Sequence, residues 1–266
     1  MHADQSILCY SLSDRTVHRH LMGFNDEITD AAFLSISGVD SHLALVTNST
    51  SVRLYSLHTQ NCQILSGHSD IILTVRIDAS GRLLATGSKD NTARVWLHCS
   101  VSDEYKCISV LSGHWASVGA LAFSRRSSDN KEQFIYTGSH DLTIKMWNLH
   151  DLQCSADFLQ RSFFSIKAHE RSINCLEVSP NNQFLASGSL DSTIKLFAIS
   201  VKSGGRAREL VYAGTCTGHK RSVWAIKFGK TGNILVSGSG DKTIKFWNTD
   251  DFTCIRVICR DFLPIL

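Results

Sequence analysis

Residues 67–96 read GHSDIILTVRIDASGRLLATGSKDNTARVW: a Gly-His pair, two short apolar runs divided by a polar turn, a second turn around Asp90, and a third run ending on Trp96. Short apolar runs bounded by Gly, Ser, Asp and Asn are the signature of antiparallel strands joined by tight turns. The pattern recurs. Gly-His returns at Gly113-His114 and Gly218-His219, with Ala168-His169 as a variant, and Asp90, Asp141, Asp191 and Asp241 follow in register. Six residues after each Asp stands Trp96, Trp147, Phe197 or Trp247, and four residues before it stands Thr86, Thr137, Ser187 or Ser237. The His-to-His spacings of 46, 55 and 50 residues fit four-stranded units with variable loops rather than a helical solenoid.

A chain of 266 residues with 43% apolar content is long enough for a buried core. The repeat favours one domain across residues 1–266, with units at about 24–66, 67–112, 113–167, 168–217 and 218–259. A formal net charge of +3 is far weaker than the concentrated charge of a dedicated nucleic-acid-binding domain. No run approaches the ~20 apolar residues of a membrane span, and neither a membrane nor a small-molecule substrate is expected as a partner. Nine cysteines, an odd number, accompany an N-terminus without a signal-peptide core, which predicts reduced thiols in an intracellular compartment. Cys62, Cys154 and Cys254 each lie seven residues after Tyr55, Trp147 or Trp247, a recurrence that reads as small apolar packing in equivalent strands.

The first unit is eroded: Gly23-Phe24 stands where later units have Gly-His, Ser49 where they have Asp, and Tyr55 where they have Trp. Residues 7–12 (ILCYSL) match the third-strand run VRLYSL at 52–57, so they are read as an unpaired strand left over from a preceding unit. The C-terminal CRDFLPIL departs from the repeat and is read as an unrelated ending. Within the third strands, Arg53, Arg94, Lys145, Lys195 and Lys245 each precede the aromatic by two residues, while Ile144, Ile194 and Ile244 point to the other face. A basic series at one position of every unit reads as a solvated or internally paired face rather than a phosphate ladder.

Ser or Thr, His and Asp together suggest a hydrolase triad, but four equivalent copies are not how one substrate is met by one convergent constellation. A buried His can accept from the hydroxyl and donate to the Asp, while an indole N–H donates to the hydroxyl; that is a structural staple. No catalytic residue, metal ligand set or cofactor site is predicted. GSGDK at 238–242 lacks the ending of a phosphate-binding loop.

GH followed by D-x-x-x-x-x-W at this period resembles the WD-repeat family. That resemblance implies an all-β WD40 β-propeller of about five four-stranded blades plus the leftover N-terminal strand, an incomplete ring. It implies tetrads of His68, Thr86, Asp90 and Trp96; of His114, Thr137, Asp141 and Trp147; and of His219, Ser237, Asp241 and Trp247. His169, Ser187, Asp191 and Phe197 form a fourth lacking one donor. The order of CQILSGHSDIILTV, SGHWASVGALAFSR, TGSHDLTIKMWNL and AHERSINCLEVSPNNQFLASGSLDSTIKLFAI is similar to that of the U3 small nucleolar RNA-associated WD-repeat proteins. What this implies is a non-enzymatic scaffold of the nucleus and nucleolus, acting in early 18S pre-rRNA processing. Its partners would be other processome proteins, the U3 snoRNP and pre-rRNA, the RNA contacted directly or through those proteins.

Side chains at the blade mouths select a partner, and Trp and Arg dominate interface hot spots. Trp115, Arg171, Arg221 and Trp224 are the first contact candidates, with Lys89 and Lys220 beside them; Trp224 could instead pack between blades. A basic mouth of Lys89, Arg171, Lys220 and Arg221 would equally suit an acidic or phosphorylated peptide held by a signalling or ubiquitin-ligase adaptor.

Overall fold

The computed structural model describes residues 7–11, 13–14, 16–21, 27–36, 39–57, 59, 61–99, 102, 104–125, 133–149, 159–201 and 208–259. β1 (Ile7–Tyr10) and β2 (Val17–Leu21) form an antiparallel hairpin. β3 (Ile28–Ile36), β4 (Val39–Thr47), β5 (Ser51–Ser56) and β6 (Cys62–Ser66) form a four-stranded antiparallel sheet in chain order. β7 (Ile72–Ile77), β8 (Leu83–Ser88), β9 (Ala93–Cys99) and β10 (Glu104–Leu111) repeat that order. The third sheet takes β11 (Val118–Phe123), β12 (Phe134–Ser139) and β13 (Thr143–Asn148). The chain then detours through β14 (Leu159–Gln160) before β15 (Phe164–Lys167) completes that sheet. β16 (Ile173–Val178), β17 (Phe184–Ser189), β18 (Ile194–Val201) and β19 (Arg208–Cys216) make the fourth. β20 (Val223–Phe228), β21 (Ile234–Ser239), β22 (Thr243–Asn248) and β23 (Cys254–Cys259) make the fifth.

The sheets are blades of a β-propeller. First strands pack in succession, β3 on β7, β7 on β11, β11 on β16 and β16 on β20, and this row of contacts sets the blades along an arc. Second strands are the most buried: every residue of LLATGS and FIYTGS is covered, because both faces of these strands meet apolar neighbours. The core is not one body but four inter-blade layers and a small cluster around Leu43 and Leu45 on the first blade. Leu34, Ala44, Val46 and Val52 of the first blade pack on Ile72, Val75 and Trp96 of the second, and the same arrangement recurs at each following junction. Gly87, Gly138 and Gly188 allow the next blade to approach: a Cβ on Gly87 would lie 2.7 Å from the Val118 carbonyl oxygen.

Each first strand carries a β-bulge near its start, at Ile28/Asp30, Ile72/Thr74, Val118/Ala120, Ile173/Cys175 and Val223/Ala225. A bulge re-aims one side chain out of the ladder. Here it turns Thr29, Leu73, Gly119, Asn174 and Trp224 into a central cavity of about 380 Å³.

Three details differ from the sequence reading. Residues 7–10 are not an unpaired strand but pair with β2, whose VHRHL has apolar residues only at its ends and so no alternating signal. The second blade has five strands, because β14 adds in parallel to the edge of β10 through Val110–Leu159 and Leu111–Gln160. Cys62 and Cys254 are exposed rather than packed, since they open the outermost strands, where no further strand covers them. The buried thiols are instead Cys175 and Cys216, both pushed up to about 12 by burial. Gly23, Phe24 and Cys154, much of the loops at 125–133 and 200–208, and residues 260–266 lie outside the described residues.

Candidate functional site

Blades two to five each bury the same hydrogen-bonded chain. In the second, His68 Nδ1 donates to Asp90 Oδ2 at 2.7 Å, His68 Nε2 meets the Thr86 hydroxyl at 2.8 Å, and Trp96 Nε1 donates to that hydroxyl at 3.0 Å. Once Nδ1–H is given to the carboxylate, Nε2 carries the lone pair and the hydroxyl donates to it, an assignment made from the network. His114, Thr137, Asp141 and Trp147 repeat this at 2.7, 2.7 and 2.9 Å. His219, Ser237, Asp241 and Trp247 repeat it at 2.9, 2.7 and 2.8 Å. In the fourth blade His169 reaches Asp191 at 2.9 Å and Ser187 at 2.8 Å, but Phe197 has no N–H to offer. The first blade has none of this. Leu45 occupies the hydroxyl position and packs with Leu43, Ile28 and Tyr55, while the Ser49 hydroxyl accepts from Thr47 and donates to the Ser51 carbonyl.

The aspartates anchor more than the imidazole. Asp90 also accepts from the Ser69 and Thr92 backbone N–H groups and from the Thr92 hydroxyl at 2.6 Å. Thr143, Thr193 and Thr243 do the same for their aspartates. Burial opposes the charge on each carboxylate, yet the hydrogen bonds from the His and Thr outweigh it and hold all four well below the usual carboxylate range. For His114, burial outweighs Asp141 and pushes the imidazole down, so it is neutral at pH 7. Ser88, Ser139, Ser189 and Ser239 accept from the aspartate backbone N–H two residues on and donate to the loop before the first strand. Sequence reasoning missed these Ser and Thr residues; the recurring G-S-x-D-x-[ST] or D-x-T frame was the available signal.

The hydroxyls that would be nucleophiles are sealed in: Thr86, Thr137 and Ser187 have no exposed surface. The arrangement can tie a turn to a loop and a loop to a strand, but a substrate has no path to it. Among the described residues no three His, Cys, Asp or Glu side chains converge as a metal site, and no helix is long and apolar enough to cross a membrane.

The contact candidates divide into two groups. Trp115 and Lys220 give their backbone N–H groups to Asp141 and Asp241, and the Arg171 and Arg221 carbonyls accept from Ser189 and Ser239. The Lys89 N–H binds the Ile71 carbonyl on the equivalent corner of the second blade. These five residues therefore stand on one rim, side chains exposed, with Trp115 at 89%. Glu170, held by Lys167, interrupts the positive series. Trp224 stands at the bulge of β20, where it lines both the central cavity and a hollow on the outer face of the fifth blade and brings its indole N–H against Gly240, beside Arg221 of the rim. Two ion-pair sets inside the arc were not anticipated: Arg76–Asp30 at 2.6 Å joins blades one and two, and Glu177 joins Arg125 to Lys227 across blades three to five. The basic third-strand series spreads over local partners instead of forming one patch: Lys145 donates to Ser165 and Lys245 to the Gly218 carbonyl.

The sequence matches the WD domain, G-beta repeat family over residues 59–96, 105–148, 160–197 and 211–248. It is 37% identical over 205 residues to Transducin beta-like protein 3 of Bos taurus, covering 74% of this chain and 25% of that protein. The Homo sapiens protein of the same name is 33% identical over 204 residues, covering 74% and 24%. U3 small nucleolar RNA-associated protein 13 of Saccharomyces cerevisiae is 34% identical over 166 residues, covering 58% and 20%. The chain spans about a quarter of the length of the relatives it matches.

Proposed function

The chain belongs to the WD-repeat family, and on that premise we propose that it is a non-enzymatic scaffold of the nucleolar U3 snoRNP and small-subunit processome, acting in early 18S pre-rRNA processing. The observation that carries this reading is the similarity, over 58% of the chain, to a protein that is itself named for association with U3 small nucleolar RNA. The blades act as one domain, the four buried His–Asp sets are staples rather than chemistry, and contact falls to exposed rim side chains. Trp115 anchors a protein partner, because a large aromatic at the mouth supplies contact area at small entropic cost. Arg171, Lys220, Arg221 and Lys89 surround it with positive charge, which suits pre-rRNA phosphates or acidic protein segments.

Affinity purification of the tagged chain from nuclear extract tests the reading. U3 RNA and other small-subunit processome proteins are the expected recovery, reduced by Trp115→Ala without loss of thermal stability. Recovery of cullin or G-protein partners without U3 RNA would overturn it in favour of an adaptor for acidic peptides.

A further inference from the structure

The rim and the cavity beneath it differ in charge. On the rim, Lys89, Lys220 and Arg221 carry exposed cations. Inside, charge is balanced or absent. Asp30 accepts from Arg76 Nη1 at 2.6 Å, from the Thr74 hydroxyl at 3.0 Å and from the Val75 N–H at 3.1 Å, so carboxylate and guanidinium cancel within the wall. His140 adds no charge at pH 7, because burial, with the Lys89 ammonium nearby, pushes it below its ordinary pKa. The remaining walls of this cavity of about 380 Å³, among them Gly119, Asn174 and Trp224, are neutral. Two residues join cavity to rim. The His140 N–H binds the Ser117 carbonyl at the corner where, one blade earlier, the Lys89 N–H binds the Ile71 carbonyl. Its ring then reaches down to Gly119, where a Cβ would lie 3.2 Å from Nε2. Trp224, 58% exposed, borders the cavity with its ring while its N–H edge lies against Gly240, beside Arg221.

We propose that this cavity takes one unpaired nucleobase of an RNA strand, stacked on Trp224, while Lys89, Lys220 and Arg221 hold the neighbouring phosphates. This rests on the scaffold role proposed above, in which the rim cations suit either RNA phosphates or acidic protein segments. The contrast in charge decides between those two. A nucleotide is a neutral, flat, polar base on an anionic backbone, and the site is a neutral polar cavity under a cationic rim. An acidic side chain entering the cavity would give up its water to meet Asp30 and a guanidinium that Asp30 already holds, an unfavourable exchange. The indole offers a π-face that any base can use. Asn174 gives an N–H to the Val223 carbonyl at 3.0 Å, and its side-chain oxygen and second N–H match a base edge, which presents donor and acceptor together. A duplex keeps its bases stacked within itself, so the ligand is an unpaired strand.

Fluorescence anisotropy of the full chain with a short labelled single-stranded RNA of mixed sequence tests this, with the same strand in a duplex and a labelled polyglutamate peptide alongside. The single strand should bind more tightly than either. Trp224→Ala should weaken it about tenfold, the loss of one stack, and Trp224→Phe should restore most of that. Lys220→Ala combined with Arg221→Ala should flatten the fall of affinity with salt, since the backbone bonds of both residues to Asp241 and Ser239 remain. His140→Ala, removing another wall of the cavity, stands in for Trp224→Ala if the melting curve of that variant shows loss of fold. A duplex or polyglutamate bound as tightly as the single strand overturns the proposal, as does a folded Trp224→Ala chain with wild-type affinity. Recovery of U3 RNA from nuclear extract by a chain that binds no single strand when purified overturns this inference alone. Single-strand binding that depends on Trp224, without U3 recovery, overturns the scaffold reading alone.

Discussion

The fourth and fifth blades are written in nearly the same letters, FLASGS with TIKLF and ILVSGS with TIKFW, yet they rest in different surroundings. Ile194 has no exposed surface and Ile244 is 45% exposed; Ala186 is covered and Val236 only half so; Gly188 is crowded and Gly238 open. What differs is the neighbour. The fourth blade is covered by the first strand of the fifth, while nothing among the described residues covers the fifth. Blade patterning thus prepares two apolar faces, and only packing against the next blade turns the second face into core. The internal staples do not depend on that neighbour: the His219–Asp241–Ser237–Trp247 set is as tightly closed as those deeper in the arc.

This contrast can be broken by substitution. Ile194→Ala should lower unfolding free energy by about 3 kcal/mol, the range for a large-to-small change in a packed core, and Ile244→Ala by less than about 1 kcal/mol at its half-exposed site; urea titrations of the two variants decide it. Equal costs would mean that the fifth face is covered in solution. Next in size, Asp241→Ala should cost about 2 kcal/mol by stranding the His219 donor and two backbone N–H groups, whereas Ser49→Ala in the first blade should cost under about 0.5 kcal/mol because Ser49 anchors no imidazole. Melting shifts of the same size would count against the staples. Smaller still, Trp247→Phe removes only the indole bond to Ser237 and should cost about 1 kcal/mol, making the fifth blade a copy of the fourth with its Phe197.

Acid should act in two stages. His114 has its pKa pushed below the ordinary 6.5, so its share of stability is whole above that pH and declines as pH falls toward its folded value. The four aspartates, held below 3.8, add stability that is present above that pH and lost as pH falls through their folded values. Melting temperature should therefore sag gently below about pH 6.5 and steeply below about pH 4. Asp241→Asn should flatten the steep limb; an unchanged limb would place the acid sensitivity elsewhere.

Much of the fold was legible because the repeat reports it four times. The second strands near Leu83, Phe134, Phe184 and Ile234 and the turns at each Asp were readable as short apolar runs bounded by Gly, Ser and Asp. The illegible parts share a cause: they depend on a partner strand rather than on local pattern. β2 has a polar middle, β14 is two residues long and pairs with a strand roughly fifty positions earlier, and the exposure of Cys62 and Cys254 follows from their place at an outer edge. In the candidate site the His, Asp, hydroxyl and aromatic were legible by recurrence. The place of Trp224 was not, since only the bulge at Val223/Ala225 aims it at the channel, with its indole edge against Gly240 at the rim.

By itself the sequence determined the blades: period-two strands, turn residues with left-handed Asn91, Leu142, Ser192 and Lys242 after each Asp, and the polar sets that each blade closes within itself. Those features rest on local geometry and hydrogen bonds whose partners recur at fixed spacing. Only the tertiary structure decided which identical-looking faces are core and which are surface, because burial is a property of the neighbour, and a strand carries no local record of whether one is there.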